Sequence, residues 1–113
     1  MRFSKDGELL LVQTRETQLV VLSVTRNNAP RKICAIENIP GDLVIDFKFS
    51  GATRVVCLTK DGHLSSHEFQ DSKSVLLETI KLVLKPNEAP NGLEVSQVGS
   101  FVCVASLEFE KSN

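Results

Sequence analysis

Apolar and polar positions alternate with a period of two through most of this chain, in short runs separated by turn-favouring residues, and this predicts β-strands throughout. In the 43–49 segment Leu43, Ile45, Phe47 and Phe49 share one face while Asp46 and Lys48 take the other, as in a half-buried inner strand. The 54–59 segment is apolar on both faces, the pattern of a central strand covered on two sides. Lys60-Asp61-Gly62 then predicts a hairpin, since glycine reaches the positive φ of tight turns. A more polar strand over 63–69 and a fourth over 75–84 follow, with Asp71-Ser72-Lys73 turning between them. Upstream, 8–13, 18–24 and 31–37 read as strands, joined by turns at Arg15-Glu16-Thr17 and Asn27-Asn28-Ala29-Pro30. In the 74–84 segment Leu76, Leu77, Ile80 and Leu84 also match a helical stripe, so strand and helix compete there.

An internal repeat arbitrates. Phe3-Ser4, Phe49-Ser50 and Val95-Ser96 follow one another at a step of 46 residues. After each serine come four turn-like residues and then four of buried type: Leu9-Leu10-Leu11-Val12, Val55-Val56-Cys57-Leu58 and Phe101-Val102-Cys103-Val104. Four antiparallel strands repeated every 40 to 50 residues is the arithmetic of a propeller blade. The predicted class is therefore all-β, a partial β-propeller of about two and a half four-stranded blades in one domain over 1–113. The blades fall at 1–40, 41–86 and, incomplete, 87–113.

On these residues the chain resembles the WD-repeat-like β-propellers. Phe47-Lys48-Phe49-Ser50 resembles the end of an innermost strand in such a blade, and Arg2-Phe3-Ser4-Lys5-Asp6-Gly7-Glu8-Leu9-Leu10 is similar to the wording FSPDGKLL common at that point, with Lys5 in place of proline. Two departures stand out: no Gly-His pair precedes the first strand, and no Trp-Asp closes the third, the chain having no tryptophan. The hydrogen-bond network built on that His and Asp is thus expected to be missing, leaving the blades to apolar packing alone. The wording from Phe3-Ser4 through Leu9-Leu10-Leu11-Val12-Gln13-Thr14, the 46-residue step, and Arg54-Val55-Val56-Cys57-Leu58-Thr59-Lys60-Asp61-Gly62 further resemble the amino-terminal propeller of the Mic-like proteins. Those are regulatory subunits of the Mon-Ccz exchange-factor complex, which activates a late-endosomal Rab GTPase. A propeller closes with about 4 to 8 blades, so the expectation is a piece of a longer propeller; the alternative is a small closed sandwich of the same strands.

Composition narrows the function classes. With 113 residues, 13 Lys and Arg against 14 Asp and Glu, and 42% apolar residues, the chain is ordinary globular material without a charge bias toward nucleic acid. Runs such as 9–12 and 19–22 stop at four apolar residues, far short of the about 20 that span a bilayer, and no leader pattern opens the chain, so a soluble, cytoplasmic protein is expected. Cys34, Cys57 and Cys103 are too widely spaced for a zinc knuckle and odd in number, which predicts reduced thiols acting as small buried hydrophobes.

Candidate chemistry is sparse. His63 and His67 on one strand would lie about 13 Å apart, too far to share a metal ion. Ser65-Ser66-His67-Glu68 holds triad residue types, but Ser66 and His67 point to opposite faces, and a solvated outer strand is expected. The scattered glycines at 7, 41, 51, 62, 92 and 99 make no phosphate loop. The 85–92 stretch, rich in Pro and Asn, reads as the longest loop and as a plain connector, the alternative being a partner contact. No catalytic, cofactor-binding or metal-ligating residue is assigned, and the expectation is a non-enzymatic scaffold without a cofactor. The resemblance implies protein partners, Mon-Ccz type subunits and a Rab GTPase, at the late endosome or lysosome in vesicle trafficking and autophagy, with membrane contact only through those partners. The alternative is the non-catalytic propeller subunit of a nucleic-acid-modifying complex such as a tRNA methyltransferase, against which the charge balance counts.

Overall fold

A computed structural model describes residues 1–25, 28–83, 88–95 and 102–108. Those residues form ten strands and no helix: β1 (Arg2–Phe3), β2 (Leu9–Arg15), β3 (Gln18–Thr25), β4 (Asn28–Ile36), β5 (Val44–Phe49), β6 (Arg54–Thr59), β7 (His63–Gln70), β8 (Lys73–Lys81), β9 (Glu88–Val95) and β10 (Val102–Glu108). Each strand pairs antiparallel with its neighbour in sequence, giving a first sheet β1-β2-β3-β4, a second sheet β5-β6-β7-β8 and a β9-β10 pair. The segment around Leu76 is thus a strand, because its register against β7 uses the backbone that a helix would have turned inward.

The three sheets lie in layers with the second in the middle, where a closed two-sheet sandwich would have only two. One face of β6 sends Val55 and Cys57 into a core with Leu11, Leu19, Val21, Cys34 and Ile36 of the first sheet and with Val44, Phe47 and Phe69. The other face sends Val56 and Leu58 against Leu93 of β9. The two-faced apolar pattern of β6 is accounted for by this double cover. At about 1.5–3 kcal/mol for each large apolar side chain removed from water, these two clusters supply most of what holds the layers together.

Several expectations need correction. The 85–92 stretch is not one long loop: Glu88 to Gly92 belong to β9, with Pro90 buried, while 84–87 lie outside the described residues. Proline is tolerated there because the ladder shifts register beside it, between Ala105 and Ser106 of β10. Asn28, Ala29 and Pro30 open β4 in place of a turn, and Asn27 lies outside the described residues. The third repeat's Val95 ends β9 and Val102 begins β10, while 96–101 lie outside the described residues.

Apolar packing also does not act alone. The Val44 amide donates to Glu16 O at 2.7 Å and Gln13 Nε2 donates to Val44 O at 2.9 Å, joining the first two sheets. Ser72, at φ 73°, donates its amide to Ile33 O at 2.9 Å from the β7–β8 turn. Asp46, placed by its alternation on a solvated face, is instead only 14% exposed. One of its oxygens meets Arg2 Nη2 at 3.1 Å and the other accepts the Leu93 amide at 3.0 Å, so a single carboxylate touches all three sheets.

Candidate functional site

Where the first and second sheets meet beside β1 and β5, a groove of about 860 Å³ opens to solvent. The 46-residue repeat builds it: Phe3 and Phe49 occupy equivalent positions, each followed by a serine and a turn. Phe3 is 61% exposed, whereas Phe49 packs edge-on against Phe69 with ring centroids 6.2 Å apart. Arg2, Lys5, Asp6 and Lys48 supply the charged part of the lining.

The turn on one wall is closed by its own side chains. Ser4 Oγ donates to Asp6 Oδ1 at 2.7 Å and accepts the Leu9 amide at 3.0 Å, while Asp6 also accepts the Glu8 amide. The Ser4 hydroxyl, followed by the Glu8 amide, holds the Asp6 carboxyl below its ordinary pKa. The Ser4 hydroxyl is therefore committed to the turn. The second repeat closes differently, with the Ser50 amide donating to Arg54 O, where Ser4 donates to Leu9 O one residue further along.

At the β6–β7 hairpin, Gly62 has φ 93° and donates its amide to Thr59 O, forming the predicted turn. Thr59 Oγ1 donates to Asp61 Oδ1 at 2.6 Å, and His63 Nδ1 lies 3.0 Å from Asp61 Oδ2. Burial opposes ionisation of Asp61, but the Thr59 hydroxyl, the His63 ring and the Lys81 ammonium outweigh it and keep the carboxyl well below the usual range. Lys81 Nζ also donates to the Asp61 carbonyl. Gly41 lies flat against this cluster: at φ 106°, any Cβ it carried would come within 2.8 Å of Asp61 Oδ1.

The candidate chemistry of β7 is sorted by the pleat. Ser65, His67 and Phe69 share the face toward the first sheet and are buried, so the solvated outer strand expected here is solvated on one face only. Their burial follows from register, which sets Ser65 opposite Cys57 and His67 opposite Val55 on the doubly covered β6. Ser65 Oγ and His67 Nε2 are 2.9 Å apart, while His67 Nδ1 has no hydrogen-bond partner. The pair therefore lacks the carboxylate that orients a catalytic imidazole, and at 2% and 0% exposure neither residue meets solvent. Burial lowers the His67 pKa to about 4. Ser66 and Glu68 lie on the opposite face, and His63 is engaged with Asp61.

Cys34 and Cys57 are free and buried. Burial raises both thiols, Cys57 up to about 12 against the opposing Ser65 hydrogen bond, so neither is a nucleophile at neutral pH. The Cys103 side chain lies outside the described residues. Among the described residues no three His, Cys, Asp or Glu side chains gather as metal ligands, and no helix is long and apolar enough to cross a membrane.

Sequence reasoning missed the groove, the bridging Asp46 and the burial of Ser65 and His67. For the last a signal existed: positions 65 and 67 share one face of a strand next in sequence to one that is apolar on both faces, and they fall opposite Cys57 and Val55. No protein-family model, curated protein or solved structure matches the chain.

Proposed function

We propose that the chain is part of a WD-repeat-like β-propeller serving as a non-enzymatic protein-interaction scaffold. The specific reading is the amino-terminal propeller of a Mic-like regulatory subunit in a Mon-Ccz exchange-factor complex on the late endosome or lysosome. One observation carries the propeller reading: two four-stranded sheets with the same sequential strand order stand one 46-residue step apart, stacked face to face, with a third pair beginning one step later on the far side. Stacking of like sheets by repetition is how propellers protect their faces. The Mic-like reading rests on the residue wording around Phe3, Phe49 and Arg54–Thr59. Its mechanism is docking by shape, and the groove beside Phe3 and Phe49 is the surface on which to map contacts.

Affinity purification of the tagged full-length chain from its own cells, with mass spectrometry of the co-purifying proteins, tests this. Mon and Ccz subunits together with a Rab GTPase are the expected recovery, reduced by Phe3→Ala. Recovery of a tRNA methyltransferase or another nucleic-acid-modifying assembly in their place overturns the Mic-like reading.

A further inference from the structure

The outermost strand of the second sheet is its least protected part. No strand pairs with the outer edge of β8 among the described residues, and every residue of Lys73–Lys81 except Ser74 is exposed. Val75, Leu76, Leu77 and Ile80 keep between 41% and 50% of their surface in solvent. A long apolar edge of this kind is a template for another strand.

The bulge in this strand determines what that strand can be. Register against β7 runs from Ser66 opposite Glu78 to His67 opposite Leu76, which leaves Leu77 as the extra residue. Lys73, Val75, Glu78 and Ile80 consequently share one face, paired with Gln70, Glu68, Ser66 and Leu64, while Ser74, Leu76 and Thr79 take the other. An antiparallel partner related by a two-fold axis must match faces residue by residue. With the axis at Val75, Val75 meets Val75, Ser74 meets Leu76, and Lys73 meets Glu78 twice over. Moving the axis to Leu76 sets Lys73 against Ile80 and Glu78 against Val75, and both charge pairs are lost.

From this match of charge, face and bulge we infer that β8 pairs with β8 of a second copy of this chain, joining two second sheets edge to edge about Val75. The inference is independent of the propeller and Mic-like readings, since it uses only the register of β7 with β8 and the exposure of β8.

Sedimentation or light scattering on the 113-residue chain gives the first test, the expected mass being twice 12.4 kDa with concentration-dependent dissociation. Glu78→Lys sets like charges opposite each other at both ends and is expected to weaken the dimer about tenfold. The exchanged pair Lys73→Glu with Glu78→Lys restores it. Val75→Cys is expected to form a disulfide-linked dimer on mild oxidation, because the two copies of that residue face each other across the axis, and Leu77→Cys is not. All these positions are exposed, so a β-sheet circular dichroism spectrum equal to that of the native chain confirms that each variant is folded. A native chain that stays monomeric at every concentration overturns the inference, as does a dimer that the charge reversal leaves intact or the charge exchange fails to rescue.

Discussion

β6 and β8 belong to one sheet, separated only by β7, and both are rich in aliphatic residues. Yet five of the six residues of β6 are buried, while eight of the nine residues of β8 are exposed. The difference lies in what covers them. β6 has the first sheet on one face and β9 on the other, whereas among the described residues no side chain of β8 joins either buried cluster. Aliphatic content makes a strand; its place in the stack decides whether that strand is core. The largest test of this contrast is a pair of truncations. Leu58→Ala removes a fully buried side chain and is expected to cost about 3 kcal/mol in urea unfolding. Leu77→Ala, at a 43% exposed bulge on the neighbouring edge, is expected to change stability by less than about 0.5 kcal/mol. Equal losses would mean that a further layer packs over a face of β8, which edge-to-edge pairing with a second copy does not supply.

Between them, β7 carries the same contrast across its own two faces, and pH reads it out. His67 is buried as the neutral imidazole, opposite Val55 on one side and Leu76 on the other, with its Nδ1 unpartnered. Its pKa falls from 6.5 in the unfolded chain to about 4 in the fold, so the unfolded state takes up the proton first as pH drops. The contribution is intact above pH 6.5 and is lost between there and pH 4, a total of about 3 kcal/mol at 1.36 kcal/mol per pH unit. Urea midpoints measured across that window should fall for the native chain and stay flatter for His67→Leu. A native curve without slope between pH 6.5 and 4 would place the ring in contact with water.

The strands were legible in the sequence because their signals are local: alternation at period two, and Asp-Gly turns whose glycines reach positive φ. In β5, however, a register shift at Ile45 breaks the expected face, so that Val44 joins Phe47 in the first core and Ile45 packs with the second. The central position of β6 was legible too, since a strand that is apolar on both faces needs cover on both. What local pattern cannot carry is the identity of the covering layer. Ser65 and His67 look like surface residues by type, and only their register against Cys57 and Val55 places them inside. Pro90 and Gly92 argue for a loop by composition, yet they sit in a strand held by layer contacts such as the Asp46 carboxylate on the Leu93 amide. The groove was illegible for the same reason, as it is formed by two turns 46 residues apart.

Asp46 offers the finest test of the same contrast, because it shares a face of the second sheet with Glu78 and differs from it only in cover. Asp46 is 14% exposed between Arg2 and the Leu93 amide, while Glu78 lies on the bare edge strand. Asp46→Ala strands the Leu93 amide beneath the third layer and is expected to cost about 1.5 kcal/mol, the penalty for a buried donor left without an acceptor. Arg2→Ala removes only the exposed half of the arrangement, a guanidinium with 49% of its side chain in solvent, and is expected to cost less than about 1 kcal/mol. Glu78→Ala should leave the stability of the subunit unchanged to within about 0.5 kcal/mol. Hydrogen exchange at the Leu93 amide separates the three: faster in Asp46→Ala, and close to native in Arg2→Ala and Glu78→Ala. If Arg2→Ala speeds that exchange as much as Asp46→Ala does, the carboxylate is positioned by its ion pair and the cover over β5 is looser than its burial implies.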